Sequence, residues 1–379
     1  MPTPPLRGDA ATQHSDEQSE HAALEQTQYN WDRVADRVLS GESITREEAL
    51  AVLNTDSLEL PHLLAAAYRI RYCHFGNRVR LNYLINAKSG RCPEDCHYCS
   101  QSKISSAEID RYSLQSVDEI VNGARRAASV NAATTCIVLS GRGPNRLEMD
   151  RVTEAVQRIK AEHPTMKVCA CMGLLDEGQA DRLKDAGVDR YNHNLNTSDS
   201  HYENICATHS YGDRIDTVRE SLRAGMRSCS GVIVGMGETC YDLVDVAMEL
   251  RALGAYSIPV NFLIRFQGTP LGDPDRAVGS LTPHYCLNVL CMFRMVCPQA
   301  EIRVSAGREE HLRTLQPMSL YPANSWFVSD YLTTSGQSPK LDEQIIRDMG
   351  MQIESSVSDS EHRPCDCAES KCTSMPGKS

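Results

Sequence analysis

No stretch of the 379-residue chain reaches the roughly 20 consecutive apolar residues that a membrane-spanning helix needs, so a helical integral membrane protein is not expected. The first 30 residues are also without the apolar run of a signal peptide; they are polar and carry Asp9, Asp16, Glu17, Glu20 and Glu25. A basic excess is missing as well. The formal charge of -11 leaves little cationic surface to neutralise phosphates, which argues against a nucleic-acid partner. No flavin or nicotinamide motif is present. With no export signal, a cytoplasmic location is expected, and there the sixteen cysteines read as metal ligands and buried thiols rather than disulfides.

What is present is a dense loop, Cys92-Pro93-Glu94-Asp95-Cys96-His97-Tyr98-Cys99, entered through Lys88, Ser89, Gly90 and Arg91. A structural zinc site takes four protein ligands, usually as two close pairs, and no second pair follows Cys99 at finger-like spacing. A cubane of iron and sulfur also takes four. Three thiolates on a cubane leave one iron open, and an open iron is a reaction site.

The chain is 41% apolar and 23% charged, enough to bury one large core or two ordinary ones. Residues 1 to 25 have the Pro, Ser, Gln and Glu content of a disordered arm, and the polar tail from 353 to 379 reads the same way despite Cys365, Cys367 and Cys372. Between 26 and 78 the pattern is helical, with Thr45 three residues before Glu48 marking one start. From Val79 onward strand and helix signals alternate. Strands are expected at Val79 to Asn86, Thr134 to Ser140, Met166 to Met172, Val188 to Asn192, Arg227 to Val234, Ser257 to Leu263 and Glu301 to Ser305. Helices are expected between them, one starting at Ser116-Val117-Asp118-Glu119, one at Asp176 and one at Asp213. Such alternation implies a parallel sheet, and an eighth strand near Ser325 to Val328 would close it into a TIM-type (β/α)8 barrel spanning 79 to 352. The cysteine loop then falls at the mouth where barrel enzymes carry their chemistry.

Cys136, Cys171 and Cys229 fall on three separate strands and Arg303 on a fourth. Packing explains each cysteine taken singly. A guanidinium inside an apolar strand needs an anion nearby, and a thiolate-bound cluster or an ion pair would each provide one. Cys169 and Cys171 face the same side, so strand parity does not choose between them.

The C-x3-C-x2-C spacing, with the aromatic Tyr98 directly before the last cysteine, resembles the cluster loop of the radical S-adenosylmethionine superfamily. There the open iron chelates S-adenosylmethionine, and one electron splits it to a 5'-deoxyadenosyl radical. Further segments resemble the biotin synthase family in order, over roughly residues 40 to 350. They include Cys169-Ala170-Cys171-Met172-Gly173, Tyr191-Asn192-His193-Asn194-Leu195-Asn196-Thr197, Cys229-Ser230-Gly231, Gly235-Met236-Gly237-Glu238-Thr239, Ile258-Pro259-Val260-Asn261 and Arg303-Val304-Ser305-Ala306-Gly307-Arg308.

This resemblance implies a 4Fe-4S cluster on Cys92, Cys96 and Cys99, and a 2Fe-2S cluster on Cys136, Cys171, Cys229 and Arg303 that donates sulfur to dethiobiotin. It implies S-adenosyl-L-methionine contacts at Tyr98, at Asn196 where the family often has aspartate, at Arg214 for the carboxylate, and at Ile233 and Glu238 beside the adenine. Asn192, Asn194 and Asn261 would meet the ureido ring, and Thr333 and Thr334 the substrate carboxylate. Sulfur bridges two saturated carbons in this reaction, and no side-chain base removes such protons at neutral pH. One S-adenosylmethionine removes one hydrogen atom, so two C-S bonds call for two cleavages. A flavodoxin or ferredoxin system would supply electrons, and a homodimer is implied. The alternative is a radical S-adenosylmethionine paralogue for another small substrate, in which the strand cysteines only pack.

Overall fold

The computed structural model describes residues 29–276 and 278–354. The expected arm over residues 1 to 25 and Cys365, Cys367 and Cys372 lie outside the described residues.

Eight parallel staves close on themselves. Strands β1 (Arg78–Lys88), β2 (Thr134–Leu139), β3 (Lys167–Cys171), β4 (Arg190–Asn192), β5 (Arg227–Cys229), β7 (Ser257–Phe262), β8 (Glu301–Val304) and β9 (Ser325–Val328) pair in that order, and β9 pairs back onto β1. The closing register sets Arg80 beside Ser325 and Leu81 beside Trp326. The expected strand near Ser325 is therefore the one that completes the barrel, and closure removes the free sheet edges. A last short strand, β10 (Gln352–Ile353), adds in parallel to the start of β1.

One expected strand, Arg227 to Val234, forms as two. After β5 the chain kinks at Ser230-Gly231 and resumes as β6 (Val232–Val234), which pairs with β7. The break has a steric cause. A Cβ on Gly231 would lie 1.9 Å from the carbonyl oxygen of Pro259, so only glycine lets the backbones approach this closely. The amide of Gly231 turns instead to Asn194 Oδ1 at 3.1 Å.

The outer layer follows local signals. Helix α1 (Trp31–Leu39) is followed by α2 (Arg46–Leu53), which starts on the Thr45 and Glu48 capping box, and by α3 (Leu60–Phe75). Around the barrel come α4 (Val117–Ser129), α5 (Arg146–Glu162), α6 (Gln179–Asp185), the single turn α7 (Asp199–Tyr202), α8 (Tyr211–Arg223) and α9 (Cys240–Ala252). Helices α4, α5, α8 and α9 each carry a full capping box, which satisfies otherwise orphaned amides. Helix α8 begins two residues before the expected Asp213 because Ser210 is the cap and Asp213, the third residue of the helix, its capping-box partner. Helix α10 (Pro283–Val296) starts on Thr282 with proline in its first turn and is buried on every side from Cys286 to Val296. Its apolar outer face is covered by α2 and α3, which explains why helices precede the barrel. Residues 308–312 form α11 and Pro339–Asp348 form α12.

The end of the barrel where the strands begin is closed by charge. Glu301, 1% exposed, accepts from Arg80 Nη1 at 2.9 Å, Arg190 Nη1 at 2.8 Å and Arg303 Nη2 at 2.6 Å. Burial alone would raise this carboxyl, but Arg190, Arg303 and Arg80 hold it well below the usual range. Arg80 also pairs with Glu354 at 2.7 Å, just past β10. Replacing Glu301 by glutamine leaves buried cations uncompensated. The expected cost is about 3–5 kcal/mol, read as a lower urea midpoint at unchanged slope. An unchanged midpoint would show that water already screens this floor.

Candidate active site

All the loops that follow the strands converge on one cavity of about 300 Å³ at the opposite mouth. The cysteine loop, leaving β1, forms one wall. It is pinned by backbone bonds as well as by the packing of Cys96, Tyr98 and Cys99: His97 N-H donates to Ile205 O at 2.9 Å, Leu271 N-H to His97 O at 3.1 Å, and Lys103 N-H to Glu94 O at 2.9 Å. Asp95 Oδ1 accepts from the amides of Ala207 at 3.0 Å and Thr208 at 3.2 Å. Burial works against that charge, but the amides and the Cys206 and Thr208 side chains hold its carboxyl well below the usual range.

Cys92, Cys96 and Cys99 all line the cavity. Among the described residues, Cys96, Cys206 and His209 are the group whose ligand atoms lie within 4.8 Å of one another. The three loop sulfurs are set wider than that. Sulfurs on one tetrahedral zinc, each 2.3 Å from the metal, would lie about 3.8 Å apart. In the compact trio both ring nitrogens of His209 are engaged, one by Glu94 and the other by Arg214. Burial pushes Cys99 up to about 11 and Cys171 up to about 12, so both thiols are protonated near neutrality until a metal displaces the proton.

Across the mouth lie the residues implied for S-adenosylmethionine. Asn196, at φ 72 in the left-handed region that asparagine tolerates, donates from Nδ2 to Tyr98 Oη at 2.6 Å, and both line the cavity with Ile233. Arg214 enters from the first turn of α8 and also lines it. Glu238 is placed differently. Its two oxygens accept from the amides of Gly235 at 2.6 Å and Met236 at 2.7 Å, and it is not among the lining residues. It fixes the turn after β6.

Deeper in the barrel, Cys136, Cys171 and Arg303 line the floor. Arg303 donates to Ser257 Oγ at 2.9 Å and to Glu301, and its Nη1 lies 3.7 Å from Cys229 Sγ. Cys229 sits one layer down. Its thiol is lowered from the ordinary value, first by a hydrogen bond from Cys169 and then by the field of Arg303. Cys169 is fully buried against Cys136 and Cys229 and does not reach the cavity, whereas Cys171, two residues further along the same face, does. Cys229, equally buried, does not line the cavity either. With two carboxylates, Glu301 and Glu354, against three guanidiniums, Arg80, Arg190 and Arg303, the floor carries one excess positive charge. An anionic, thiolate-held cluster fits above it.

The asparagines sit between the two thiol groups. Asn192 donates to Asn194 Oδ1 at 3.1 Å and to Cys229 Sγ at 3.3 Å, and Asn261 ties Val232 O at 2.9 Å to Ala306 N at 3.2 Å. Each amide keeps hydrogen-bonding capacity for a ligand. Thr333, held to Ser100 Oγ at 3.0 Å, and Thr334 line the cavity from the loop after β9. Sequence reasoning missed Glu301, Arg80, Arg190, Glu94 and His209. Only Glu301 carried a signal, since it shares its strand face with Arg303. His193 lines the cavity with an unpartnered Nε2, and burial pushes its imidazole well below the ordinary value.

The half of the barrel that bears the cysteine loop, residues 87–250, matches the Radical SAM superfamily, and with the site at its mouth this defines a radical S-adenosylmethionine enzyme. Residues 259–352 match the Biotin and Thiamin Synthesis associated domain. The chain is 53% identical over 323 residues to the biotin synthase of Rhodopirellula baltica, covering 85% of this chain and 89% of that protein. It is 51% identical over 325 residues to the biotin synthase of Bacillus subtilis, covering 86% and 96%. Among solved structures, methylornithine synthase superposes with a TM-score of 0.73 at 20% identity, over 85% of this chain and 98% of that one, a likeness of fold. The chain belongs to the biotin synthase family.

Cys96→Ala is expected to abolish the iron of the outer cluster, whereas Cys206→Ser, which alters only the neighbour 3.7 Å from Cys96, retains it. Iron and acid-labile sulfide per chain after anaerobic reconstitution measure both. Equal loss in the two variants would make Cys206 a ligand.

Proposed function

We propose that this chain converts dethiobiotin to biotin, using two iron-sulfur clusters at different depths of one cavity. The observation that carries the reading is the presence of two separate thiol groups facing that cavity, one on a loop at its mouth and one on strands above a cationic floor. Cys92, Cys96 and Cys99 would hold a 4Fe-4S cluster, and Cys136, Cys171, Cys229 and Arg303 a 2Fe-2S cluster. When bound, these groups would supply reductive cleavage of S-adenosylmethionine, hydrogen-atom abstraction and the inserted sulfur.

The chain's own part is binding, orientation and exclusion of water. Arg214, a buried cation with neutral hydrogen-bond partners, takes the S-adenosylmethionine carboxylate. Tyr98, Asn196 and Ile233 flank its nucleoside. Asn194 Oδ1 is turned to Gly231 and Asn192, which leaves its Nδ2 to donate to the ureido carbonyl, while Asn192 Oδ1 is available to accept from a ureido N-H. Asn261 closes the far side of that ring, and Thr333 and Thr334 meet the carboxylate tail. Arg303 stays cationic on Glu301 and offers its Nη1 toward Cys229. A ligand bound through that nitrogen would first have to displace a proton, which makes Arg303 the weakest donor of its set.

On this reading residues 79–352 form the catalytic barrel and 26–78 a helical extension that covers α10. A flavodoxin or ferredoxin system reduces the outer cluster, in the cytoplasm, and the working enzyme is a homodimer.

Cys171→Ala is expected to keep the outer cluster and to release 5'-deoxyadenosine from S-adenosylmethionine under reduction, but to form no biotin. Cys169→Ala keeps both, because its thiol packs beneath the cavity. Product analysis with iron and sulfide content decides. Biotin formed by Cys171→Ala, or a single cluster in the wild type, would sink the sulfur-donor assignment and favour a paralogue with another substrate.

A further inference from the structure

Arg214 is held by three neutral acceptors. Its Nε donates to the phenol oxygen of Tyr202, its Nη1 to Asn194 O at 2.7 Å and its Nη2 to His209 Nε2 at 2.8 Å. A guanidinium has five N-H groups, so one remains on each terminal nitrogen, the pair that grips a carboxylate in a fork. Among the described residues no carboxylate forms an ion pair with it.

The contact with His209 fixes a tautomer. Arginine only donates, so His209 Nε2 must present its lone pair, and the ring proton of the neutral imidazole sits on Nδ1. Nδ1 lies 2.5 Å from Glu94 Oε2. That oxygen also accepts from Thr208 Oγ1 at 2.5 Å, and Arg142 Nη1 approaches both Glu94 oxygens at 3.3 and 3.4 Å. The bonds therefore run one way: Arg214 donates to His209, and His209 donates to Glu94. Cys206 Sγ, 3.3 Å from Nδ1, is the other neighbour of that ring edge.

We propose that Glu94 and His209 are positioning residues for S-adenosylmethionine: the carboxylate locks the imidazole so that it orients Arg214 while keeping that arginine's charge free for the ligand's carboxylate. The inference rests on the assignment of Arg214 given above and deepens it. A carboxylate placed directly on Arg214 would neutralise it and occupy the fork. An imidazole between them transmits the orientation without occupying it. Glu94 lies inside the cysteine loop, between Cys92 and Cys96, so the same relay ties the shape of that loop to the pocket for S-adenosylmethionine.

The test uses the full chain, reconstituted anaerobically, with S-adenosylmethionine as the probe. His209→Leu removes the acceptor and is expected to raise both the Kd from equilibrium dialysis and the KM about tenfold or more, with kcat at saturation little changed. His209→Gln, whose amide accepts from Arg214 and donates to Glu94, recovers most of that loss. On an Arg214→Gln background, itself weakened, His209→Leu adds nothing, because its effect passes through the arginine. Iron content stays at the wild-type level in all of these.

Wild-type affinity in His209→Leu overturns the relay, and so does a His209→Leu penalty that persists without Arg214. Loss of the outer cluster's iron in both His209 variants also overturns it, since the residue would then support the loop and not the arginine. If Arg214→Gln binds S-adenosylmethionine as the wild type does, the assignment of Arg214 fails and the relay with it. That outcome is distinct from one in which Arg214→Gln weakens binding and His209→Leu does not.

Discussion

The carboxylate of Glu301 is the interaction on which the inner half of the molecule depends. Three strands, β1, β4 and β8, each place a charged residue at the same end of the barrel, and Glu301 is a partner common to Arg80, Arg190 and Arg303. Isolated, each guanidinium would be costly to bury; gathered on one carboxylate, with Ser257, Ser325 and Glu354 taking further N-H groups, they form a satisfied layer. The layer does two things at once. It seals the barrel without an apolar plug, and it leaves a positive excess directly beneath the thiols of Cys136, Cys171 and Cys229.

Above that floor the site is arranged by depth along the strands. Cys169 and Cys171 share a face and are separated by one pleat, and this spacing divides a thiol buried among its neighbours from one open to the cavity. The kink at Gly231 serves the same geometry. By breaking the fifth stave it frees an amide for Asn194, and the backbone of that asparagine in turn accepts from Arg214. Asn194 therefore joins the strand kink to the first turn of α8.

The mouth is organised by fixed hydrogen-bond direction together with a small apolar cluster around Cys96, Tyr202 and Ile205. Asp95 fastens the cysteine loop to the amides after α7, and Glu94, His209 and Arg214 pass a single donor direction across to α8. Such a frame can hold three sulfurs apart before any metal is bound. Burial raises the Cys99 and Cys171 thiols, so a metal-free chain stays uncharged at these positions near neutrality.

The sequence by itself determined what is decided within a few residues. The capping boxes at Thr45 and Ser116, the proline after Thr282, the β-branched strands and the spacing of Cys92, Cys96 and Cys99 all act over four residues or so, and each stands in the structure where its local signal puts it. The order of strand and helix was enough to reach a parallel sheet, open or closed, because strands joined by right-handed crossovers leave few alternatives, and closure into a barrel rested on the eighth strand near Ser325. Only the tertiary structure decided which distant side chains meet. That Glu301 joins Arg80 across 221 positions, that Glu94 reaches His209 across 115, that Cys169 lies below the cavity and Cys171 in it, and that Glu238 spends its oxygens on its own turn all follow from register and closure. Those are properties of strands paired around a ring, and no local pattern encodes the angle at which two members of the ring will face each other.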